Sequence, residues 1–348
     1  MSDERAHGIV VAGAYPAGSV LDALMPRALL PVAQQPLITY ALRWMQGAGL
    51  AHATICANSA ARSIRTRLDA SDFAISIDYL EDWNPRGAAG CVRDAGERSG
   101  AGTFVVADGT ALPVANLAEL VQAHRAAAAV LTVVVGADAT GRLCPTGLYV
   151  FDRRALAYIP SDGHQDIKER LIPRLYAAHE PVATHVIRTV APRVVNTDTY
   201  LALDAWAVER ASLDPGFARG YRVCGAAVVH ECARVDPGAQ LLGPVLIGPG
   251  AAVAAGAMLV GPVSLGVRTS VGRGAVVSRS VVWSDCTIGD EALVDRCMLA
   301  DGARVEARRT LFAAVRTAER RALGQGRLRG AFWDPLVATL RPVSLDHL

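Results

Sequence analysis

The chain has 348 residues, 51% of them hydrophobic, and a formal net charge of +2. This length and composition allow two domains with sizeable cores. The near-neutral charge without a basic run argues against nucleic acid as the main partner, and the lack of a run of about 18 apolar residues argues against a membrane span.

The first half alternates short apolar runs with helix-like segments. Strands are predicted at 8–13, 53–57, 75–79, 104–107, 130–135 and 146–152, and helices at 36–49, 59–68, 87–98, 117–129 and 167–175. This alternation predicts an α/β domain with a mostly parallel sheet and helices on both faces. In such sheets the ligand lies beyond the carboxyl ends of the strands, where the loops after residues 13, 86 and 107 fall.

The second half carries a six-residue repeat. Every sixth residue from Val229 to Val277 is aliphatic, and the series resumes one residue out of frame at Val282 and slips again before Val305. Glycine or a small residue often follows the aliphatic residue directly or three positions later, which permits tight corners. A six-residue piece cannot bury its own apolar face, so the pieces are predicted to stack as a parallel β-helix over about residues 229–311.

These patterns divide the chain into three parts. We predict an α/β domain over 1–220, a β-helix over 221–314 and a C-terminal helix and tail over 315–348. The tail is predicted to begin as a polar helix, Arg316–Leu323. The segment Phe332–Leu336 reads as an apolar clip that packs on the β-helix or on a neighbouring subunit.

Several segments resemble, in order and spacing, the motifs of sugar-1-phosphate nucleotidyltransferases. Met25–Val32 resembles their PKxLLPV segment, Arg86–Cys91 their LGTAGA turn and Phe104–Gly109 their FLVxNGD strand end. The later matches are Thr146–Asp152, Ile167–Leu175 and Asn196–Leu201. The resemblance covers about residues 8–311. It implies a Rossmann-like nucleotidyltransferase domain followed by a left-handed parallel β-helix of hexapeptide repeats, as in mannose-1-phosphate guanylyltransferases and glucose-1-phosphate nucleotidyltransferases.

The family transfers a nucleotidyl group from a nucleoside triphosphate to a sugar-1-phosphate, with Mg²⁺ neutralising phosphate charge. On matching positions, the resemblance implies a nucleotide-binding set of Ala12, Gly13, Arg27, Gly87, Ala88, Gly90 and Asp108. Within this set Arg27 is the candidate catalytic cation and Asp108 the candidate metal ligand. Mg²⁺ is the expected cofactor if the chain is active, and otherwise no cofactor is expected.

The phosphate-binding segments depart from the family pattern at their cationic positions. The loop 11–19 lacks the arginine that clamps the triphosphate, and its Pro16 has no N–H to donate. Arg27 stands where the family has lysine, which keeps the charge but changes its geometry. The connector Gly136–Pro145 is too short to carry the family's EKP lysine, and Lys168, the only lysine of the chain, lies in a later helix.

The metal-binding positions depart as well. The two carboxylates that the family uses fall on Thr110 and Val194, although Asp108, shortly before Thr110, could substitute for the first. Each lost transition-state charge typically lowers the rate by ~10²–10³. A chain with all these changes is expected to retain little activity.

The main hypothesis is therefore a catalytically silent homologue that binds a nucleotide or sugar nucleotide. It would act as a regulatory or assembly subunit in nucleotide-sugar or polysaccharide metabolism. An active transferase that uses Arg27 and Asp108, and a purely structural oligomerisation protein, stay open as alternatives. The expected partners are further copies of this chain or an active homologue, bound through the β-helix.

The expected location is the cytoplasm. The seven cysteines are scattered without a CxxC pair, which argues against a zinc site and favours a reducing compartment. The N-terminal residues lack the pattern of a signal peptide.

Overall fold

The computed structural model describes residues 6–13, 19–58, 60–68, 72–81, 86–138, 141–190, 193–211 and 220–318. The chain forms two compact units. One comprises Met1–Leu30 and Pro36–Val194, and the other comprises Pro31–Gln35 and Val195–Leu348. In the described residues, no helix has the length and apolar character needed to cross a membrane.

Strands and helices alternate along the chain as far as Ala211. The strands are β1 (Ala6–Val11), β2 (Pro31–Val32), β3 (Gln35–Pro36), β4 (His52–Ala57), β5 (Ser76–Glu81), β6 (Thr103–Asp108), β7 (Leu131–Ala137), β8 (Leu143–Asp152) and β9 (Val182–Ile187). The helices are α1 (Leu37–Gly47), α2 (Ala61–Arg67), α3 (Gly87–Ser99), α4 (Leu117–Ala126), α5 (Ile172–Ala177) and α6 (Thr197–Ala211). Short 3-10 turns lie at Val20–Ala23, Arg27–Leu29 and Arg153–Tyr158, and a π turn at Ile167–Leu171 precedes α5.

The first unit is built on a seven-stranded sheet with the order β5-β4-β1-β6-β8-β7-β9. The neighbours β5, β4, β1 and β6 are parallel, and β8 runs antiparallel to β6 and β7. The predicted α/β architecture with a mostly parallel sheet is confirmed. The central strands are apolar on both faces because helices cover both: Ile9, Val10 and Phe104 are fully buried.

Helix α3 approaches the sheet closely because its packing face is made of small residues. A Cβ on Gly96 would lie 2.9 Å from the ring of Phe104. Ala89, Gly90 and Ala95 on the same helix are buried. The contact therefore holds the C-terminal half of α3 against the beginning of β6.

Part of the segment 136–145, predicted as a connector, is strand: residues 136–137 end β7 and residues 143–145 begin β8. Strand β7 continues to Ala137 and β8 begins at Leu143, and the two pair as an antiparallel hairpin. The turn is closed by the backbone and side chain of Asp138, both of which bond to Arg142. A hairpin this tight explains why β8 is the antiparallel strand of the sheet.

The second unit contains a parallel β-helix, as predicted. Its strands are β10 (Tyr221–Cys224), β11 (Ala227–His230), β12 (Arg234–Val235), β13 (Gln240–Leu242), β14 (Val245–Ile247), β15 (Ala252–Val253), β16 (Met258–Val260), β17 (Val263–Leu265), β18 (Ser270–Val271), β19 (Val276–Ser278), β20 (Val281–Val282), β21 (Thr287–Ile288), β22 (Leu293–Asp295), β23 (Met298–Leu299), β24 (Arg304–Val305), β25 (Thr310–Phe312) and β26 (Val315–Arg316). They form three sheets with the orders β10-β11-β14-β17-β20-β23-β26, β12-β15-β18-β21-β24 and β13-β16-β19-β22-β25. Left-handedness stays an expectation from the family resemblance.

The slips in the six-residue frame reflect shorter coils. Val253 pairs with Val271, and Val271 pairs in turn with Ile288, so the second spacing along the chain is shorter than the first by a single position. The later coils lose this position at the corner before the first sheet, where Arg279 and Arg296 adopt positive φ values of 45° and 51°. The aliphatic column therefore stays aligned although the sequence frame shifts.

Some glycines of the repeat are required by the spacing between coils. A Cβ on Gly272 would lie 2.6 Å from the backbone nitrogen of Asp290, and one on Gly266 would lie 2.5 Å from the carbonyl carbon of Trp283. Real Cβ atoms do not approach backbone this closely, and backbone cannot move aside as the end of a flexible side chain can. These glycines keep neighbouring coils at strand-pairing distance.

Helix α6 packs on β14 and β17 and belongs to the second unit. By sequence, however, it falls in the range 1–220 that was predicted as the α/β domain. One carboxylate oxygen of its Asp204 accepts a hydrogen bond from Ala33 N at 2.7 Å, and the other accepts one from Ser264 Oγ at 2.8 Å. Burial raises the pKa of Asp204 to about 7.

A second buried polar group of α6 also binds the short segment 31–35. The Tyr200 hydroxyl donates to Pro31 O and accepts from Trp283 Nε1 at 2.8 Å. Burial raises the pKa of Tyr200, which stays neutral. These bonds explain why residues 31–35 belong to the second unit although the chain on both sides of them belongs to the first.

The C-terminal prediction is corrected at one point. Arg316 lies in the last β-helix strand, β26, and pairs with Leu299, so it does not start a helix. The β-helix therefore extends past its predicted limit at residue 314. The remainder of the predicted helix from residue 319, and the apolar segment Phe332–Leu336, lie outside the described residues.

Candidate functional site

The structure places three of the predicted site residues side by side at one edge of the sheet. Val11 at the end of β1 pairs with Asp108 at the end of β6, and Gly109 N donates to Val11 O at 2.9 Å. Ala12 N donates to Cys56 O at 2.8 Å, at the end of β4. Ala12 and Gly13 thus lie beside Asp108, as expected for carboxyl ends of parallel strands. Residues 14–18 of the predicted phosphate loop lie outside the described part of the chain.

Asp108 is tied down by groups of its own chain. Its Oδ1 accepts hydrogen bonds from the backbone N of Thr110 at 2.8 Å and from Thr110 Oγ1 at 2.7 Å. Its Oδ2 forms an ion pair with Nη2 of Arg193. Gly147 packs against the same side chain, since a Cβ there would lie 2.8 Å from that of Asp108. Both carboxylate oxygens are therefore engaged within the protein.

Arg193 is held at this position by the backbone. Residues Ala111 and Arg193 form an isolated antiparallel β-bridge, and Ala111 N donates to Asp108 O at 3.1 Å. The bridge aligns Arg193 with the turn that follows Asp108. The Asp108 side chain is 15% exposed and that of Arg193 is 34% exposed, so the pair lies at the boundary with solvent.

Arg27, the candidate catalytic cation, is paired with Asp22. Its Nε and Nη2 donate to the two carboxylate oxygens of Asp22 at 2.7 and 2.9 Å, and its Nη1 donates to Val194 O at 3.4 Å. Asp22 also accepts from Ser19 N, and Leu21 N donates to Ser19 Oγ, which caps the turn that begins at Val20. Both side chains of the pair are only about a tenth exposed, at 10% and 11%.

The glycine turn at the start of α3 contacts the segment 160–165. Ala89 N, near the start of α3, donates to Gln165 O at 3.0 Å. Gly87 has a φ of +73°, and a Cβ there would lie 2.5 Å from Gln165 O. Gly90 leaves room for the side chain of Arg86, since a Cβ added to Gly90 would lie 2.6 Å from the Cβ of Arg86.

The Arg86 side chain folds back over this helix terminus. It forms two hydrogen bonds to Asp94, at 3.1 and 3.2 Å, and donates to Pro160 O and Gly163 O at 3.1 and 3.0 Å. The backbone amide of Ala89 in the predicted nucleotide-binding turn and the guanidinium of Arg86 beside it are therefore both hydrogen-bonded within the chain. Gly87, Ala88 and Gly90 stay predicted nucleotide contacts.

The residues at the sheet edge do not fit a Mg²⁺ site of the family type. Such a site uses two carboxylates, and the second position is Val194, a buried apolar residue. Asp108 is already paired with a guanidinium, which cancels its attraction for a divalent cation. Among the described residues, no group of three or more His, Cys, Asp or Glu side chains could hold a metal ion.

Asp22 and Arg193 belong to this site, although neither was predicted from the sequence. Asp22 was detectable, because Ser19 followed three residues later by an acidic residue is a helix-start pattern. Arg193 offered a weaker signal, an arginine directly before the position of the missing second carboxylate. Lys168 is exposed in the π turn 167–171, and it is not among the residues that contact Asp108 or Arg27 in the described structure.

The chemistry of this edge follows from its charge balance. The edge contains two cations, Arg27 and Arg193. They lie on neighbouring segments, because Arg27 donates to the carbonyl of Val194, the residue after Arg193. Each is neutralised by its own carboxylate, Asp22 or Asp108. A neutral, preorganised edge of this kind can position an anionic ligand but provides little unbalanced positive charge for a developing transition state.

Comparisons with known proteins agree with the resemblance read from the motifs. Residues 21–143 match the nucleotidyl transferase family. The chain is 27% identical over 250 residues to the mannose-1-phosphate guanylyltransferase of Mycobacterium tuberculosis (strain ATCC 25618 / H37Rv), a match that covers 64% of this chain and 69% of that protein. It is 24% identical over 290 residues to the UTP–glucose-1-phosphate uridylyltransferase of Synechocystis sp. (strain ATCC 27184 / PCC 6803 / Kazusa), covering 65% of this chain and 74% of that protein.

Proposed function

We propose that the chain is a catalytically silent member of the sugar-1-phosphate nucleotidyltransferase family that binds a nucleotide or an NDP-sugar. Its match to the nucleotidyl transferase family and its similarity to two sugar-1-phosphate nucleotidyltransferases support this proposal. The chain acts as a regulatory or assembly subunit in nucleotide-sugar or polysaccharide metabolism. Its partner is a further copy of the chain or an active homologue, engaged through the β-helix. A cytoplasmic location stays part of this proposal.

The observation that carries the proposal is the pairing of both candidate functional charges inside the protein. Arg27 is bound by Asp22 through two hydrogen bonds, and Asp108 is bound by Arg193 and Thr110. Arg27 would have to leave Asp22 before its guanidinium could serve the reaction, and Asp108 would have to release Arg193 before it could bind a metal ion. For Arg27 and Asp22, whose side chains are 10% and 11% exposed, breaking the pair would leave a nearly buried charge uncompensated, at a typical cost of about 3–5 kcal/mol.

The size of the expected rate loss supports the same conclusion. Removal of one group that stabilises transition-state charge typically costs ~10²–10³ in rate. Here the loop arginine, the lysine at position 27 and the metal carboxylate at position 194 are all replaced, and the segment 136–145 has no lysine. Replacement of all these groups together is therefore expected to leave little activity.

Retained structure supports a binding and assembly role. The glycine turn at the start of α3 and the small residues after β1 are the positions at which the family resemblance implies nucleotide binding, and they support a retained binding role. The β-helix keeps a continuous buried column of aliphatic residues through its coils. Retention of the scaffold with loss of the charged chemistry is what a subunit that binds and assembles requires.

The proposal is tested by pyrophosphate release from a panel of nucleoside triphosphates with mannose-1-phosphate and glucose-1-phosphate in the presence of Mg²⁺. The M. tuberculosis guanylyltransferase serves as the positive control. We expect the wild-type chain to release no more pyrophosphate than its Asp108→Ala variant. Turnover that is abolished by Asp108→Ala would establish the alternative, an active transferase, and refute catalytic silence.

Calorimetric titration with GDP-mannose and UDP-glucose tests the binding part separately. Measurable binding of either compound supports the regulatory role. Lack of binding to both, together with a stable oligomer, would favour the purely structural alternative.

A further inference from the structure

The sheet edge contains a cation at the place where the family resemblance calls for a metal ion. Asp108 is the carboxylate nearest the first metal position, and the second metal position is Val194, next to Arg193 in the chain. The Arg193 guanidinium binds Asp108 Oδ2 directly. The β-bridge between Ala111 and Arg193 holds the backbone of Arg193 beside the turn that follows Asp108.

We propose that Arg193 is a built-in replacement for the divalent metal ion, and that the chain binds the diphosphate group of an NDP-sugar without metal through this guanidinium. The inference rests on the proposed ligand-binding function and names the residue and the metal requirement of that site. It also assigns different roles to the two arginines of the edge.

Exposure separates the two arginines. The Arg27 side chain is 10% exposed, and its Nε, Nη1 and Nη2 atoms all donate to Asp22 or Val194. The Arg193 side chain is 34% exposed. A guanidinium has five N–H donors in a planar fork, which suits simultaneous binding of a carboxylate and a phosphate. Arg193 is therefore the anion-binding cation, and Arg27 is a structural one.

The same geometry keeps a divalent cation out. Mg²⁺ requires several oxygen ligands at about 2.0–2.1 Å in octahedral arrangement. Asp108 Oδ1 is occupied by two donors from Thr110 and Oδ2 by Arg193. A metal ion at Asp108 would have to displace these donors and would be repelled by the guanidinium. The chain thus holds a guanidinium, paired with Asp108, where the family resemblance calls for a metal ion.

The first experiment measures Mn²⁺ binding to the full chain in the absence of nucleotide, from the electron paramagnetic resonance signal of free Mn²⁺. We expect the wild-type protein and the Asp108→Asn variant to bind Mn²⁺ equally weakly. The Arg193→Ala variant should bind Mn²⁺ several-fold more tightly, and the double variant Arg193→Ala/Asp108→Asn should lose that gain. Wild-type Mn²⁺ binding that Asp108→Asn abolishes would overturn the replacement of metal by Arg193.

The second experiment measures calorimetric binding of GDP-mannose and UDP-glucose in EDTA and in excess Mg²⁺. We expect wild-type Kd values that agree within twofold between the two conditions, and at least a tenfold weakening by Arg193→Ala in EDTA. Arg188→Ala, at an exposed arginine after β9, is the matched control and should change Kd by less than twofold. Binding that requires Mg²⁺, or that Arg193→Ala leaves unchanged, would overturn the inference.

The two measurements keep this inference distinct from the proposed function. Failure of both NDP-sugars to bind under either condition refutes the ligand-binding function, while the Mn²⁺ titration still decides whether Arg193 replaces the metal. Circular dichroism melting of each variant verifies that it is folded. An Arg193→Lys variant, which keeps the charge but loses the fork, should recover part of the binding if the positive charge matters.

Discussion

Replacement of Asp204 by asparagine should remove a large pH dependence from the stability of the second unit. Asp204 is fully buried, accepts from Ala33 N and Ser264 Oγ, and has a pKa raised from 3.8 to about 7. Burial is the largest cause of the shift, and the two hydrogen bonds oppose it without a compensating cation. The protonated carboxyl is therefore the form that suits the folded state.

The sign and size follow from linkage. A folded-state pKa above the unfolded value means that stability is complete below the unfolded pKa and falls as the pH rises through the folded pKa. Between 3.8 and about 7 the loss is about 1.4 kcal/mol per pH unit. From pH 5 to pH 7 the wild-type free energy of unfolding should fall by about 2–3 kcal/mol because of Asp204 alone.

Asparagine can keep the same contacts without a charge. Its oxygen can accept from Ala33 N, and its amide can donate to Ser264 Oγ. We expect Asp204→Asn to match the wild type at pH 5 and to exceed it by about 2 kcal/mol or more at pH 7.5. Asp204→Ala, which leaves Ala33 N and Ser264 without their partner, should be less stable than Asp204→Asn at every pH by about 1–3 kcal/mol.

The assay is urea unfolding from pH 5 to pH 8, analysed as the difference between Asp204→Asn and wild type for the transition that exposes Trp283. Subtraction removes the contribution of all other titrating groups. A difference that stays constant across this pH range would refute the assignment of the raised pKa to Asp204. A difference that shrinks as the pH rises would refute its sign.

Two further predictions concern the spacing of the coils and the pairing of Arg27. Gly272→Ala should lower the melting temperature of the β-helix by several degrees, because the new Cβ would lie 2.6 Å from the backbone of the next coil. Gly47→Ala is the control, since the space around that glycine is open, and it should not lower the melting temperature. Equal effects of the two substitutions would contradict the packing argument. Asp22→Ala should destabilise the first unit by about 3–5 kcal/mol in urea unfolding, since it strands a nearly buried Arg27, while loss of the exposed Glu97 of an i,i+4 pair should cost less than about 1 kcal/mol. Similar losses for Asp22 and Glu97 would show that Arg27 does not depend on its partner.

Much of the fold was readable in the sequence because its signals are local and repeated. The six-residue period of aliphatic residues predicts coils that must stack, and the frame slip at Val282 corresponds to a coil shortened by a single position. The alternation of apolar runs and helices predicts the α/β sheet and its ligand edge, where Ala12 and Asp108 indeed lie side by side. The capping pattern of Ser19 and Asp22, which places the partner of Arg27, is local in the sequence and could therefore be detected there.

Tertiary structure alone decided the features that depend on residues distant in sequence. Arg193 reaches Asp108 from a remote part of the chain because a β-bridge brings Ala111 and Arg193 together, and no local pattern encodes that pairing. Residues 31–35 belong to the second unit because two buried side chains of α6 bind their backbone: Asp204 accepts from Ala33 N, and Tyr200 donates to Pro31 O. The architecture can be predicted from the periodicity of the sequence, because each repeat must bury its apolar residues against its neighbours. The pairing of charges at the site depends on which strand ends and turns meet in space, and only the folded chain sets that.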